Sequence, residues 1–453
     1  MSDVLNAVII ISDTLRRDFL GCYGNDWVRT PNIDALAAES IVLDNCFTGS
    51  FPTIPHRADL MTGRYNFPFR PWAPLPPDER PIQVAARAAG IITALITDHT
   101  QLLAPGYNFH QGFMAVEWIR GQAPDAWRSH KPKLKPPCDP AKLREPGNWL
   151  QRYLANIEGR RTEADWFSPQ TFTRAMEWLE LNYDHDRFLL FIDLFDVHEP
   201  WTPPRWYVDM YDPGYDGEEV IYPRYDAAGY LTEAELTHVR ALYAATITMM
   251  DRWLGMFLDK LQAVGRWDDT AILFTADHGW YHGEHGLIGK HTVLEPKLDW
   301  PFYDEVARIP AILKIPGEPP RREGVLCQPV DLMATLCDLL NIQPPQPPHG
   351  RSILPALRGQ GPIRQLAVTS RALPADPGWR VYSAITDGRW SLQYPGPAWP
   401  AELYDRHADP QMERNIIGDY SGEARRLHQA YLDFLAELGT PEEKLRLREL
   451  LSF

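Results

Sequence analysis

The stretch NAVIIISDT, residues 6–14, decides how this chain folds. Ala7 to Ile11 are apolar without a break, and Val8 and the three isoleucines after it are β-branched. A run so short and so β-branched reads as a strand buried on both faces, the usual pattern of a parallel sheet. Ser12, Asp13 and Thr14 mark where that strand leaves the sheet. Four further runs have the same character: IITALIT (91–97), FLLFIDLF (188–195), TAILFTA (270–276) and IPAILKI (309–315). Helical patterns lie between them. TPNIDALAAES (30–40) carries Pro early in the helix, and SPQTFTRAMEWLELN (168–182) opens on Ser-Pro. Residues 232–265 open with a Thr-x-x-Glu capping box and stop at Gly265. Strand–helix alternation of this kind predicts an α/β sandwich with a large, mostly parallel sheet flanked by helices. Ligands of such sheets bind at the carboxyl ends of the strands. After about residue 365 the pattern becomes short strands (AVTSR, YSAITDG, WSLQYP) and a terminal helix over 421–439. The expected organisation is a main α/β domain over 1–365 and a small C-terminal α+β subdomain over 366–453.

The 453 residues are 44% hydrophobic, enough for a large core. The formal charge of −15 argues against nucleic acid or an anionic membrane as partner. An anionic substrate would then need a locally positive pocket. No run is long and apolar enough to span a bilayer, and the N-terminus lacks the basic region of a signal peptide. The five cysteines show no CxxC spacing, which reads as a reducing, cytoplasmic setting. The 42 prolines are about twice the usual share and cluster in 66–81, 131–147, 196–223 and 342–355, read as ordered loops. Aromatic residues in the loops 99–165 and 196–231 could wall a pocket, pack the loops together or form a homo-oligomer interface.

Chemistry is expected where strands end. Asp13 follows the first strand, and Asp277 and His278 follow the strand 270–276. Either Asp alone could cap a loop, but two carboxylates and an imidazole together suit a divalent metal ion. Thr53 opens TIPHRADLMTG, where Pro55 fits a helix's first turn and Thr53 falls at or near its N-cap. Arg57 is about one turn on, within reach of Thr53 or of an anion held there. Lys290 could give a point charge to an oxyanion, or be an ordinary lysine. His198 could be a general acid, a metal ligand, or a loop histidine paired with Asp196 or Glu199.

Taken together, these residues resemble the sulfatase branch of the alkaline phosphatase superfamily. DTLRRDFLGCYG with RTPNIDALAAES resembles the first metal segment. TIPHRADLMTGR matches the signature C/S-x-P-x-R-x-x-x-(L/M)-T-G-R at every fixed place but the first. FDVHEPWTPP, TADHGWYHGEHGLIGKH and ELYDRHADPQMERNI are similar to later landmarks, in the family's order. The resemblance implies an alkaline-phosphatase-like sandwich. It implies Asp13, Asp277 and His278 as metal ligands with Thr53 as nucleophile and metal contact, and Arg57, His198 and Lys290 as anion or leaving-group contacts. Ca²⁺ is the metal it implies for a sulfatase, whereas Mn²⁺ or Zn²⁺ suits phosphoryl transfer with an imidazole ligand. A second metal using His198, Asp98 or His99 is a further expectation.

Three departures bear on function. Members of the branch place Cys or Ser where Thr53 stands and oxidise it to formylglycine; Thr would give a ketone, so formylglycine is not expected. The usual second Asp of the first metal segment is Thr14, and a usual Lys is replaced by Asp98 beside His99. A Thr ester has no elimination route, so water must clear it. The expected activity is therefore metal-dependent hydrolysis of a small anionic phosphate mono- or diester, or of a phosphonate ester. Sulfuric ester hydrolysis and a non-catalytic metal- or anion-binding homologue are the alternatives. A phosphosugar mutase would need an inserted cap domain that the sequence lacks.

Overall fold

In the computed structural model, which describes residues 4–128, 134–290, 299–344, 346–376 and 378–453, the opening stretch is a strand buried along its whole length. The strands in chain order are β1 (Asn6–Ser12), β2 (Ile41–Cys46), β3 (Ile92–Thr97), β4 (Ala115–Trp118), β5 (Phe188–Leu194), β6 (Asp226–Ala227), β7 (Thr270–Ala276), β8 (Tyr281–His282), β9 (Leu287–Gly289), β10 (Ala311–Lys314), β11 (Arg321–Cys327), β12 (Ala367–Ser370), β13 (Ser383–Thr386), β14 (Trp390–Tyr394) and β15 (Glu402–Asp405). Eight form one sheet in the order β11-β2-β10-β7-β1-β5-β3-β4. From β7 to β4 every pairing is parallel, and β10 runs against both its neighbours. The five predicted apolar runs are β1, β3, β5, β7 and β10. All five are buried because helices cover both faces of a parallel sheet.

The chain makes two compact units. The first is Met1–Val42, Ala86–Lys290 and Ala311–Arg321; the second is Leu43–Ala85, His291–Pro310 and Arg322–Phe453. In the first, the capping box of Thr232 and Glu235 starts the predicted long helix, Glu233–Ala263. Midway along that helix Asp251 accepts the N–H groups of Asn32 and Ile33, at 3.1 and 2.7 Å, and so caps the helix Pro31–Ala38 from another element. The Ser-Pro opening at 168 differs from expectation: the helix is Phe167–Asn182 with Trp166 as N-cap, and the Ser168 hydroxyl donates to Asp196 instead. A nearby carboxylate outcompeted the local cap.

In the second unit β12 to β15 form an antiparallel sheet in chain order, packed with the helix Ser421–Glu437 around Val368, Ile385, Leu392, Leu403, Leu427 and Tyr431. β15 was not anticipated, because the polar turn after Glu402–Asp405 hides its short apolar centre. Part of the proline-rich 131–147 stretch lies outside the described residues. Among the described residues no helix is long and apolar enough to cross a membrane.

Candidate active site

Four neighbouring strands of the first unit, β7, β1, β5 and β3, are parallel and end at one edge. Their register is level: Ser12 lies opposite both Ala276 and Leu194, and Asp193 opposite Thr97. The residues that follow therefore emerge side by side. Asp277 and His278 leave β7, Asp13 and Thr14 leave β1, Asp196 to Glu199 come after β5, and Asp98 and His99 leave β3.

Asp13, Asp277 and His278 each offer one ligand atom within 4.8 Å of the others, and all three are buried. Metal–ligand bonds of about 2.0–2.6 Å require separations of this order. His278 Nδ1 donates to the Gly279 carbonyl at 3.0 Å, which leaves the lone pair on Nε2, the form a metal ligand needs. Burial, then the charge of Lys290, holds this imidazole well below its usual pKa and so neutral. Two hard carboxylates and a neutral imidazole fit a divalent cation.

Thr14 stands where a second Asp was expected by resemblance, and it organises the cluster. Its backbone is left-handed, φ 63°, a conformation that costs a non-glycine residue about 1–2 kcal/mol. In that conformation its N–H donates to Asp277 Oδ1 at 2.8 Å, its hydroxyl to Asp13 Oδ1 at 2.7 Å, and its carbonyl accepts from Tyr243. Lys290 Nζ donates to Thr14 Oγ1 at 2.9 Å and lies 3.4 Å from His278 Nε2 and 3.8 Å from Asp13 Oδ1. This is not an ordinary surface lysine: it is buried, and burial pulls its pKa down against the nearby carboxylates.

His198 is largely covered, its side chain 10% exposed, with its ring 4.3 Å from that of Phe195. Its Nδ1 donates to the Glu199 carbonyl at 2.6 Å. Burial and then Lys290 keep it well below the usual histidine pKa. His99 Nε2 is 3.2 Å from Asp13 Oδ2. Asp98 turns to the backbone, accepting the Phe195 N–H at 2.7 Å, and Gln122 bridges it to Asp196 at 3.3 and 3.2 Å. Burial, then Asp196, raises the Asp98 carboxyl well above its usual pKa. Among the described residues the ligand group is Asp13, Asp277 and His278, without His198, Asp98 or His99.

Thr53 and Arg57 belong to the second unit. Pro52 is the N-cap and Thr53 the first residue of the helix Thr53–Thr62, with every residue buried. Arg57 does reach back one turn: its Nη1 donates to the Thr53 carbonyl at 3.3 Å. Much of the remaining signature serves the backbone. Asp59 accepts the N–H groups of Ser50 and Asn66 at 2.7 and 2.8 Å, and the Thr62 hydroxyl bonds the Ala58 carbonyl at 2.7 Å. Gly63 ends the helix at φ 70°, where an added Cβ would stand 1.9 Å from Met333 Cε. Arg64 donates to the Pro347 carbonyl at 2.8 Å.

Residues the sequence reading did not single out are Arg144 and Tyr225; Glu199 entered only as a partner of His198. Arg144 lies in a proline-rich loop with no pattern to mark it. The adjacency of Glu199 to His198 was the one usable signal.

Where its parallel strands end, the sheet gathers two carboxylates, an imidazole and a buried lysine, a set that could hold a divalent cation beside an anion. Comparison narrows the class: the family model described as Sulfatase matches residues 5–342, and the chain belongs to that family. The N-acetylglucosamine-6-O-sulfatase of Bacteroides thetaiotaomicron is 24% identical over 484 residues, covering 94% of this chain and 85% of that protein. The multifunctional alkaline phosphatase superfamily protein PehA of Trinickia caryophylli is 28% identical over 407 residues, covering 78% and 77%. The crystal structure of the phosphonate monoester hydrolase of Agrobacterium radiobacter shares the fold with TM-score 0.77 and 23% identity, over 96% of each chain.

Proposed function

We propose that this protein hydrolyses small anionic phosphate or phosphonate esters, with a divalent metal held by Asp13, Asp277 and His278 and with Thr53 as nucleophile. The observation that carries the reading is the buried three-ligand cluster at the edge shared by β7 and β1. The sequence adds a hydroxyl, Thr53, at the first place of an otherwise complete signature. A metal bound there would favour the ionised hydroxyl and offset charge on the transferring group. Lys290 and Arg57 supply fixed positive charge for the anion, and His198 serves the leaving group. A net charge of −15 makes such local cations necessary for an anionic substrate.

Thr53 decides between ester classes. Hydrated formylglycine expels sulfate by collapsing to an aldehyde, whereas a threonine ester is cleared only by water attacking phosphorus or sulfur. This favours phosphoryl over sulfuryl esters. The relative PehA, described as a multifunctional alkaline phosphatase superfamily protein, fits a reading beyond sulfate esters. Sulfuric ester hydrolysis is the second reading, favoured by likeness to the N-acetylglucosamine sulfatase. Five free thiols fit a reducing, cytoplasmic setting. The test compares turnover of aryl phosphate, phosphonate and sulfate esters with one leaving group, after intact mass has established unmodified Thr53. Faster phosphoryl turnover is expected; faster sulfate turnover by unmodified enzyme would overturn the substrate assignment.

A further inference from the structure

Glu199 is fully buried, ionisable, and has no part in the metal cluster. Its Oε2 lies 3.1 Å from His198 Nδ1, and the Tyr225 hydroxyl donates to its Oε1. Arg144 Nη1 is 3.9 Å from the same Oε1, while the Arg144 guanidinium sits 3.8 Å from the Tyr225 ring centroid. A buried carboxyl costs several kcal/mol unless paired, so this arrangement is a costly way merely to hold a loop. Its Oε2 faces the Nδ1 side of the imidazole.

Resting on the ester-hydrolase reading above, we propose that Glu199 is a positioning residue for His198. Its carboxylate, 3.1 Å from Nδ1, supplies the negative charge against which Nε2 carries the proton delivered to the leaving group, while the Glu199 carbonyl takes the Nδ1 proton.

The charged groups facing the pair are Lys290, Arg144 and Asp13. Burial, opposed by Lys290 and Arg144, lifts the Glu199 carboxyl to about 7. In the first half-reaction the Thr53 hydroxyl gives its proton to solvent and its oxygen bonds phosphorus. The bond from phosphorus to the leaving oxygen breaks, and that oxygen keeps the electron pair and takes the Nε2 proton, leaving as an alcohol. In the second half, water bonds phosphorus and gives a proton back to Nε2. The Thr53 oxygen then departs with its electron pair and regains a proton from solvent. Both halves use Glu199 in its ionised form, which Lys290 and Arg144 favour.

The test is Glu199→Gln in the full chain, assayed with para-nitrophenyl and ethyl esters of phenylphosphonate. For the ethyl ester, whose leaving group needs the proton, kcat/KM should fall about 10²-fold, against about threefold for the para-nitrophenyl ester. A merely structural role lowers both by the same factor, and that result would overturn the proposal. Nitrogen-15 NMR of the histidines gives a readout independent of turnover: the pKa of His198 should fall in Glu199→Gln, and an unmoved value would also overturn it. Tyr225→Phe should act in the same direction with a smaller effect, and serves if the Gln variant does not fold. If wild type cleaves no ester, the functional reading fails, while the NMR titration still decides the Glu199–His198 coupling.

Discussion

The strand exits of the first unit and the signature helix of the second both carry polar residues that look catalytic, and they use them differently. At the exits, Asp13, Thr14, Asp277, His278 and Lys290 bond or approach one another, so their geometry is set by the register of β1 and β7. On the helix Thr53–Thr62, Asp59 and Thr62 bond the backbone, and Gly63 and Arg64 fix the turn that follows. A motif can therefore match a family at every fixed place but one while several of its side chains serve the backbone. At the strand exits the family likeness is spread over longer segments, and Asp13, Thr14, Asp277, His278 and Lys290 join one cluster.

The sharpest break would come from removing one functional group from each region. Asp277→Ala is expected to abolish measurable turnover and to lose bound divalent metal, read by elemental mass spectrometry of the purified protein. Thr53→Ala should lower kcat/KM by a few thousand-fold, the scale of losing a covalent nucleophile, while Thr53→Ser keeps a good part of the rate. An Ala variant as fast as wild type would reduce Thr53 to a helix residue. Lys290→Ala should cost roughly 10²-fold, as for one oxyanion-stabilising group, and a loss under about threefold in a folded protein would remove it from the site.

Gly63→Ala should behave in the opposite way. Strain at positive φ and the clash with Met333 predict a loss of about 1–3 kcal/mol in denaturant unfolding, with activity per folded molecule retained. If activity fell with stability unchanged, the division between structural and chemical parts of the signature would be wrong.

The smallest effects are pH-dependent and run in opposite senses in the two units. In the first, buried His282 packs among Phe19, Trp201, Tyr243 and Trp280, and neither ring nitrogen has a hydrogen-bond partner among the described residues. Burial, then Arg16, holds its pKa well below 6.5, so the stability it contributes is present above about pH 6.5 and is lost as pH falls. His282→Phe should shrink the drop in Tm between about pH 7 and pH 5. In the second unit, burial pushes the Asp59 carboxyl up to about 7 from 3.8. Its contribution is full below about pH 4 and is lost as pH rises toward 7, so Asp59→Asn should flatten Tm across that window. Equal slopes in wild type and variant would remove either group from the pH response.

The sequence by itself determined five strands of the eight-stranded sheet and put Asp13, Asp277 and His278 forward as candidate metal ligands. Runs such as AVIII and AILF can be stable only as strands covered on both faces, and a polar residue directly after such a run must stand at the sheet's edge. The antiparallel sense of β10 was not legible, because a short apolar strand reads alike in either direction. Nor was the capture of Ser168 by Asp196, since the local pattern for a helix cap was intact. Glu199, Arg144 and Tyr225 meet from loops far apart in the chain, and no periodicity links them. Only the tertiary structure decided what surrounds His198 and how Thr14 fills a place usually held by a carboxylate. A side chain's chemistry depends on neighbours brought by folding, while a strand's burial is written in its own residues.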